Sequence, residues 1–258
     1  MHIQTYGSKK SPKLVILHGW GIDGTKFSEL AKILAKHFYV VVPDLPGFGK
    51  SIPPRKAADV SSYARAIKKQ LKELKISEAA FIGHSFGGRI AIKLSAESPD
   101  LISSLVLTGA AGVEAFQLKR SLKRTIYWMA AKILRLFSWI PLIAKIRNRF
   151  YAKRDFGKVD GVMKETFLKV ITEKLDPFAK SIHQQTLLLW GSRDQLTLVC
   201  DAEKLLKIIP NAYLKIFSGV GHNLPYKRPH EFAREVKQFL LGCFTDPTQP
   251  HPSQSFQS

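Results

Sequence analysis

The stretch that decides the fold is FIGHSFGGRIA, residues 81–91. An apolar run enters it and a helix-like pattern leaves it. Between them Ser85 stands two residues from Gly83 and two from Gly87. A serine flanked by glycines where a strand ends and a helix begins is the G-x-S-x-G arrangement of a nucleophile elbow. The turn must be sharp enough to push the serine hydroxyl outward. Glycines there let neighbouring backbone close around the turn. The Phe86 N–H then opens the helix, at the end where the dipole favours an anion.

Working outward, six short apolar runs read as strands: 13–18 (KLVILH), 38–43 (FYVVVP), 79–84 (AAFIGH), 101–108 (LISSLVLT), 186–190 (TLLLW) and 213–217 (YLKIF). Most are continuously apolar, as in parallel strands buried on both faces. Helical periodicity fills the gaps at 27–37, 61–74, 86–97 and 229–241. Strands and helices alternating at this spacing predict an α/β fold with a mostly parallel, doubly wound sheet. From 113 to 181 no strand pattern occurs, and such a length exceeds any ordinary connection. The expected organisation is a core of residues 1–112 and 182–244, an inserted helical cap at 113–181, and a polar, proline-rich tail at 245–258 that is expected to be disordered.

A serine hydroxyl needs a base. Of eight histidines, His222 stands apart: it lies in GVGHNLP, a loop after the 213–217 run and before the last helix. Loops at the carboxyl ends of strands are where an open α/β sheet carries its site. The orienting acid is expected to be Asp194, which follows the 186–190 run in GSRDQ; Asp201 is its rival, but falls later, inside the next predicted helix. The run at 101–108 ends in Thr108-Gly109-Ala110-Ala111 and offers no carboxylate. The order Ser85, Asp194, His222 is nucleophile, acid, histidine. An oxyanion needs preorganised donors. The block His18-Gly19-Trp20-Gly21 follows the first long apolar run, so the backbone N–H groups of Trp20 and Phe86 are the expected pair. Trp20 and His84 are the expected pocket residues, although His84 also reads as a packing residue beside a glycine.

Four blocks together, HGWG (18–21), DLPGFGKS (44–51), GHSFGG (83–88) and the pair WGSRD plus GVGHNLP, resemble the α/β-hydrolase superfamily. Within it the chain is similar to small bacterial carboxylesterases, including those that act on acyl-carrier-protein methyl esters, but has His84 where those carry tryptophan. The resemblance implies the α/β-hydrolase fold, a cap that shapes substrate choice, and ester hydrolysis through an acyl-enzyme. It implies no metal and no other cofactor. Members with an aspartate nucleophile do not match, because the elbow residue is Ser85. Two other functions stay open: a carbon–carbon bond hydrolase of a ring-cleavage pathway, which uses the same triad, and a non-catalytic binding module on the same fold.

Charge and composition set further bounds. The chain has 258 residues and 40 Lys and Arg against 20 Asp and Glu, a net +20. Such a field draws acidic partners. Between 119 and 180 stand sixteen basic and five acidic residues, so +11 of the +20 falls in the expected cap. Leu122, Ile126, Met129, Ile133 and Leu136 repeat on one helix face, with basic residues mostly opposite. That basic amphipathic helix fits packing on the core, contact with an anionic membrane, or docking of an acidic carrier protein. Nothing resembles a base-reading module, so nucleic acid is not an expected partner. The start carries no apolar signal and no run is long enough to span a bilayer. With two cysteines, Cys200 and Cys243, expected as reduced thiols, the expected location is cytoplasmic, with a peripheral membrane position as the variant.

Overall fold

A computed structural model describes residues 1–110, 112–113 and 161–245. Seven strands form one sheet in the order β1-β3-β2-β4-β5-β6-β7. They are β1 (Ile3–Tyr6), β2 (Lys13–Leu17), β3 (Tyr39–Pro43), β4 (Ala79–His84), β5 (Ile102–Thr108), β6 (Gln185–Gly191) and β7 (Ala212–Phe217). Only β1 is antiparallel, pairing with β3; the other neighbours run parallel. All six predicted strands occur. The unpredicted seventh, β1, is a four-residue edge strand, mostly half-buried, so it carries no continuous apolar run.

The helices, numbered along the described chain, are α1 (Ser28–Leu34), α2 (Val60–Glu73), α3 (Phe86–Glu97), α4 (Val162–Thr172), α5 (Asp176–Lys180), α6 (Val199–Ile208), α7 (Leu224–Lys227) and α8 (Pro229–Thr245). Local chemistry explains their limits. The Asp59 carboxylate accepts the Ser62 N–H at 2.8 Å and starts α2, whose buried Val60, Tyr63, Ala64, Ile67 and Leu71 keep helical spacing. The helix predicted from residue 27 is a 3-10 turn at Gly24–Phe27 followed by α1, and the last helix runs on to Thr245.

The two-residue period of the strands builds two cores. Val15, Leu17, Phe81, Leu105, Leu107, Leu188 and Trp190 face α2, α3, α5 and α6. Leu14, Ile16, Ala80, Ile82, Val106, Leu187 and Leu189 face α1 and α8. Helix α3 is buried from Phe86 to Ser95, which is why its sequence there is small or apolar apart from Arg89 and Lys93.

From β2 the chain steps outward to β3, then back across to β4, so the order reverses between β2 and β4. The crevice beyond the carboxyl ends of strands at such a reversal is the usual ligand position. Register aligns these ends: Leu17 pairs with Gly83, His84 with Thr108, Thr108 with Leu189, and Gly191 with Phe217. Of the segment expected as a cap, residues 113 and 161–181 are described, and they carry the helices α4 and α5. They fasten to the core: the Ala58 N–H donates to Thr166 Oγ1 at 3.0 Å, and the Leu175 N–H to the Gly112 carbonyl at 3.0 Å. The amphipathic stretch 122–136 and tail residues 246–258 lie outside the described residues.

Candidate active site

Ser85 follows β4 directly and precedes α3 with φ +52 and ψ −110, a conformation that L-residues with a side chain rarely take. Its carbonyl accepts the N–H groups of Gly88 at 3.0 Å and Arg89 at 3.2 Å, and its own N–H donates to Thr108 O at 3.0 Å. The flanking glycines are sterically required. A Cβ on Gly87 would lie 2.1 Å from the Leu17 carbonyl oxygen, and one on Gly83 would lie 2.7 Å from Gly88 Cα. Phe86 is the first residue of α3, so its N–H has no acceptor within the helix.

Asp194 and His222 meet across the loops that follow β6 and β7. Those loops are laced together: the Ser192 N–H donates to Phe217 O at 2.9 Å, the Arg193 N–H to Val220 O at 2.8 Å, and the Gly219 N–H to Ser192 Oγ at 2.9 Å. The approach is close enough that a Cβ on Gly191 would sit 2.3 Å from Val220 O. His222 Nδ1 donates to Asp194 Oδ2 at 2.8 Å. The same Oδ2 accepts the Thr197 hydroxyl at 2.8 Å, and Oδ1 accepts the N–H groups of Leu196 and Thr197, each at 2.9 Å. Burial alone would raise the Asp194 carboxyl. The hydrogen bond and charge of His222, with the Thr197 donors, outweigh it and hold the carboxyl below its ordinary value. Asp194 is therefore ionised beside an imidazole whose Nδ1 carries the proton, which leaves Nε2 as the basic nitrogen. Asp201, the rival acid, instead accepts the Leu198 N–H at 2.9 Å at the start of α6.

Trp20 is partly buried in a cluster of aromatic rings. Its ring centroid lies 4.8 Å from Phe48, 5.2 Å from Phe86 and 4.9 Å from Phe167 of α4. The loop that carries it passes close to the elbow: a Cβ on Gly19 would be 3.3 Å from Ser85 Cβ. His18 holds this loop. The Leu45 N–H donates to His18 Nε2 at 2.9 Å, so Nδ1 carries the proton and donates to Gly19 O at 2.8 Å. Burial, opposed by that bond to Gly19, lowers the His18 pKa and keeps the ring neutral.

His84 takes a place beneath the histidine loop and not on an open pocket wall. It is 2% exposed, and its ring lies 4.9 Å from that of His222, 5.8 Å from Tyr226 and 5.9 Å from Phe27. Its Nε2 donates to the His222 carbonyl at 3.1 Å. Burial first, then the neighbouring His222, lower its pKa to about 3.

Two contributors escaped sequence reasoning. Thr197 is three residues after Asp194, a spacing at which an aspartate side chain often bonds the following backbone, and its hydroxyl adds to the grip. Gly109, with φ +54, leaves room for the imidazole: a Cβ there would lie 2.8 Å from His222 Cε1. The only available signal was that the β5 end offered glycine where an acid might stand. Among the described residues no cluster of three or more His, Cys, Asp or Glu could hold a metal ion.

With this geometry in place, known proteins supply context. A family model described as alpha/beta hydrolase fold matches residues 12–138. The chain is similar to Lipase 1 of Psychrobacter immobilis, 27% identical over 90% of this chain and 78% of that protein. It is similar to a monoacylglycerol lipase of Homo sapiens, 24% identical over 90% of this chain and 76% of the relative. Among solved structures, that of a membrane phospholipase A, a bacterial virulence factor, superposes with a TM-score of 0.76 at 27% identity, covering 95% of this chain and 83% of that one.

Proposed function

We propose that this chain, a member of the α/β-hydrolase superfamily, is a serine hydrolase that cleaves carboxylic esters through Ser85, His222 and Asp194. The observation that carries the reading is the His222–Asp194 bond of 2.8 Å, made on the strand edge where Ser85 is held at φ +52. A serine kept in strained backbone at the same carboxyl edge of the sheet as a histidine bonded to an ionised carboxylate is more than packing requires. The lipases among its relatives lend support to esters as the substrate class.

In this reading the Ser85 hydroxyl oxygen bonds to the ester carbonyl carbon while His222 Nε2 takes its proton. Asp194 holds the imidazole in the Nδ1–H tautomer and stabilises the imidazolium. The N–H groups of Trp20 and Phe86 receive the negative oxygen of the tetrahedral intermediate. The intermediate collapses, the carbon–oxygen bond to the alcohol breaks, and His222 returns the proton to the departing alcohol. Water, deprotonated by His222, then releases the acid from Ser85. Residues 113–181 act as the cap in this scheme. Helix α4 brings Phe167 onto Trp20, so the acyl side of the site is walled by aromatic rings and suits an apolar acyl group.

The test is hydrolysis of p-nitrophenyl esters by wild type and Ser85→Ala, with fluorophosphonate labelling alongside. The expected outcome is labelling of wild type alone and a loss of roughly 10³-fold or more in kcat for the variant. Full activity in pure Ser85→Ala protein would remove Ser85 as the nucleophile. Turnover of a ring-cleavage dienone in preference to every ester would replace ester hydrolysis by carbon–carbon hydrolysis at the same triad.

A further inference from the structure

Helix α4 has two faces of different character. Thr166 and Val170 are buried, and Phe167 packs on Trp20 above the oxyanion loop. The opposite stripe, Lys164, Leu168 and Ile171 at spacings of four and three, is open; Leu168 is 47% exposed and Ile171 44%. Next to it runs the loop after β3. Met163 lies against Gly47, the Gly47 N–H donates to the Ile52 carbonyl at 3.1 Å, and Lys169 Nζ donates to Ala57 O at 3.2 Å. At the tip of that loop Ile52 is 84% exposed. Three large aliphatic side chains thus project from two adjoining segments, each of which also packs a ring, Phe48 or Phe167, on Trp20 of the candidate site.

The charge around them is mostly positive. Lys50, Arg55 and Lys56 are exposed on the loop, and Lys164 and Lys169 on α4, against Glu165 as the acidic residue of that helix. Single exposed aliphatic side chains are ordinary on a soluble surface; what sets these apart is that three stand on two adjoining segments among exposed cations. A boundary that is apolar inside and anionic outside accepts both at once, because the aliphatic groups enter the acyl region while the cations stay at the headgroups. An acidic protein partner would answer chiefly to the charges, so the serine substitutions below separate it from a lipid surface.

We propose that the outer face of α4 together with the tip of the 50–56 loop docks the enzyme on an anionic lipid–water interface, with the mouth toward the lipid. The docking stands apart from the chemistry; only its purpose, access to an ester carried in lipid, rests on the proposed function. The +20 net charge of the whole chain adds the long-range attraction.

The experiment uses full-length Ser85→Ala protein, so that binding is read without hydrolysis, sedimented with vesicles of phosphatidylcholine alone or mixed with phosphatidylglycerol. Binding is expected on the mixed vesicles, weaker by about tenfold on phosphatidylcholine alone or at high salt. Adding Ile52→Ser, Leu168→Ser and Ile171→Ser is expected to weaken it by about tenfold or more, without a change in thermal midpoint, since these side chains are exposed. Equal binding by the serine variant, equal binding to both vesicle types, or no binding at all would overturn the proposal. Capture by polyglutamate with no loss on serine substitution would overturn it in favour of an acidic protein partner. The serine substitutions placed in otherwise wild-type enzyme are expected to leave turnover of a soluble short-chain ester unchanged. An inactive wild type that still binds mixed vesicles would refute the hydrolase reading and leave the docking intact.

Discussion

Ser85 and Lys75 are the non-glycine residues with positive φ among the described residues. Lys75 lies in the turn that ends α2, whereas Ser85 holds its strain, on the order of 1–3 kcal/mol, at the candidate site. The residue behind it makes a sharper prediction. His84 is buried with its pKa lowered to about 3 from an ordinary 6.5. As pH falls, the unfolded chain takes up this proton first and the folded chain resists it. Stability present above about pH 6.5 is therefore lost progressively between about 6.5 and about 3, at up to ~1.4 kcal/mol per pH unit from this group. Glutamine can keep an Nε2–H donor for the His222 carbonyl and does not titrate. Urea unfolding of His84→Gln between neutral pH and pH 4 is expected to show a shallower decline than wild type. An equally steep decline would mean that His84 does not govern the acid limb.

At the scale of elements, the segment between α4 and α5 is clamped onto α3, the helix that follows Ser85. Glu173, between α4 and α5, accepts Lys93 Nζ of α3 at 2.8 Å and the Val60 N–H of α2 at 3.3 Å, while its carbonyl accepts Arg89. Lys93 is buried, with Phe178 of α5 under its ammonium at 3.5 Å. Removing the carboxylate leaves that ammonium with the more distant Glu97, at 3.8 Å, as its remaining carboxylate among the described residues. Glu173→Gln is expected to cost about 1–3 kcal/mol in chemical denaturation, less than a fully buried pair because Glu173 retains some solvent. Adding Lys93→Met is expected to recover part of the loss, since it removes the buried ammonium that the first substitution leaves without its closer partner. Sequence periodicity located α3 to the residue, because the helix is buried nearly all round and starts at the motif itself. It could not locate this clamp. Glu173 lies 80 residues from Lys93 along the chain, and nothing local distinguishes it from a surface glutamate.

For the whole molecule the charge balance has a direct consequence. A net +20 repels itself in the compact state. Raising ionic strength from low to physiological is expected to raise the melting temperature by a few degrees, within the range that about 1 kcal/mol produces in a chain of this size. A flat or falling trend in a scanning-fluorescence salt series would show that the basic side chains are compensated in place. The continuous apolar strands, the helical patterns between them and the glycines around Ser85 were legible without coordinates, because each follows from a local period or a local steric demand. So was the order Ser85, Asp194, His222, since each follows a strand at its carboxyl end. The edge strand β1 was not, because it is short and only half-covered. The role of His84 was not either: a histidine beside a nucleophile can face solvent or core, and only packing against Phe27, Tyr226 and the His222 loop decides it. By itself the sequence determined which residues are candidates for chemistry and which strand ends carry them. Tertiary structure alone decided that Asp194 and His222 share a bond, that Gly109 clears the space for it, and that α4 turns two aliphatic residues outward. Those outcomes rest on contacts between segments far apart in the chain, and no local pattern encodes them.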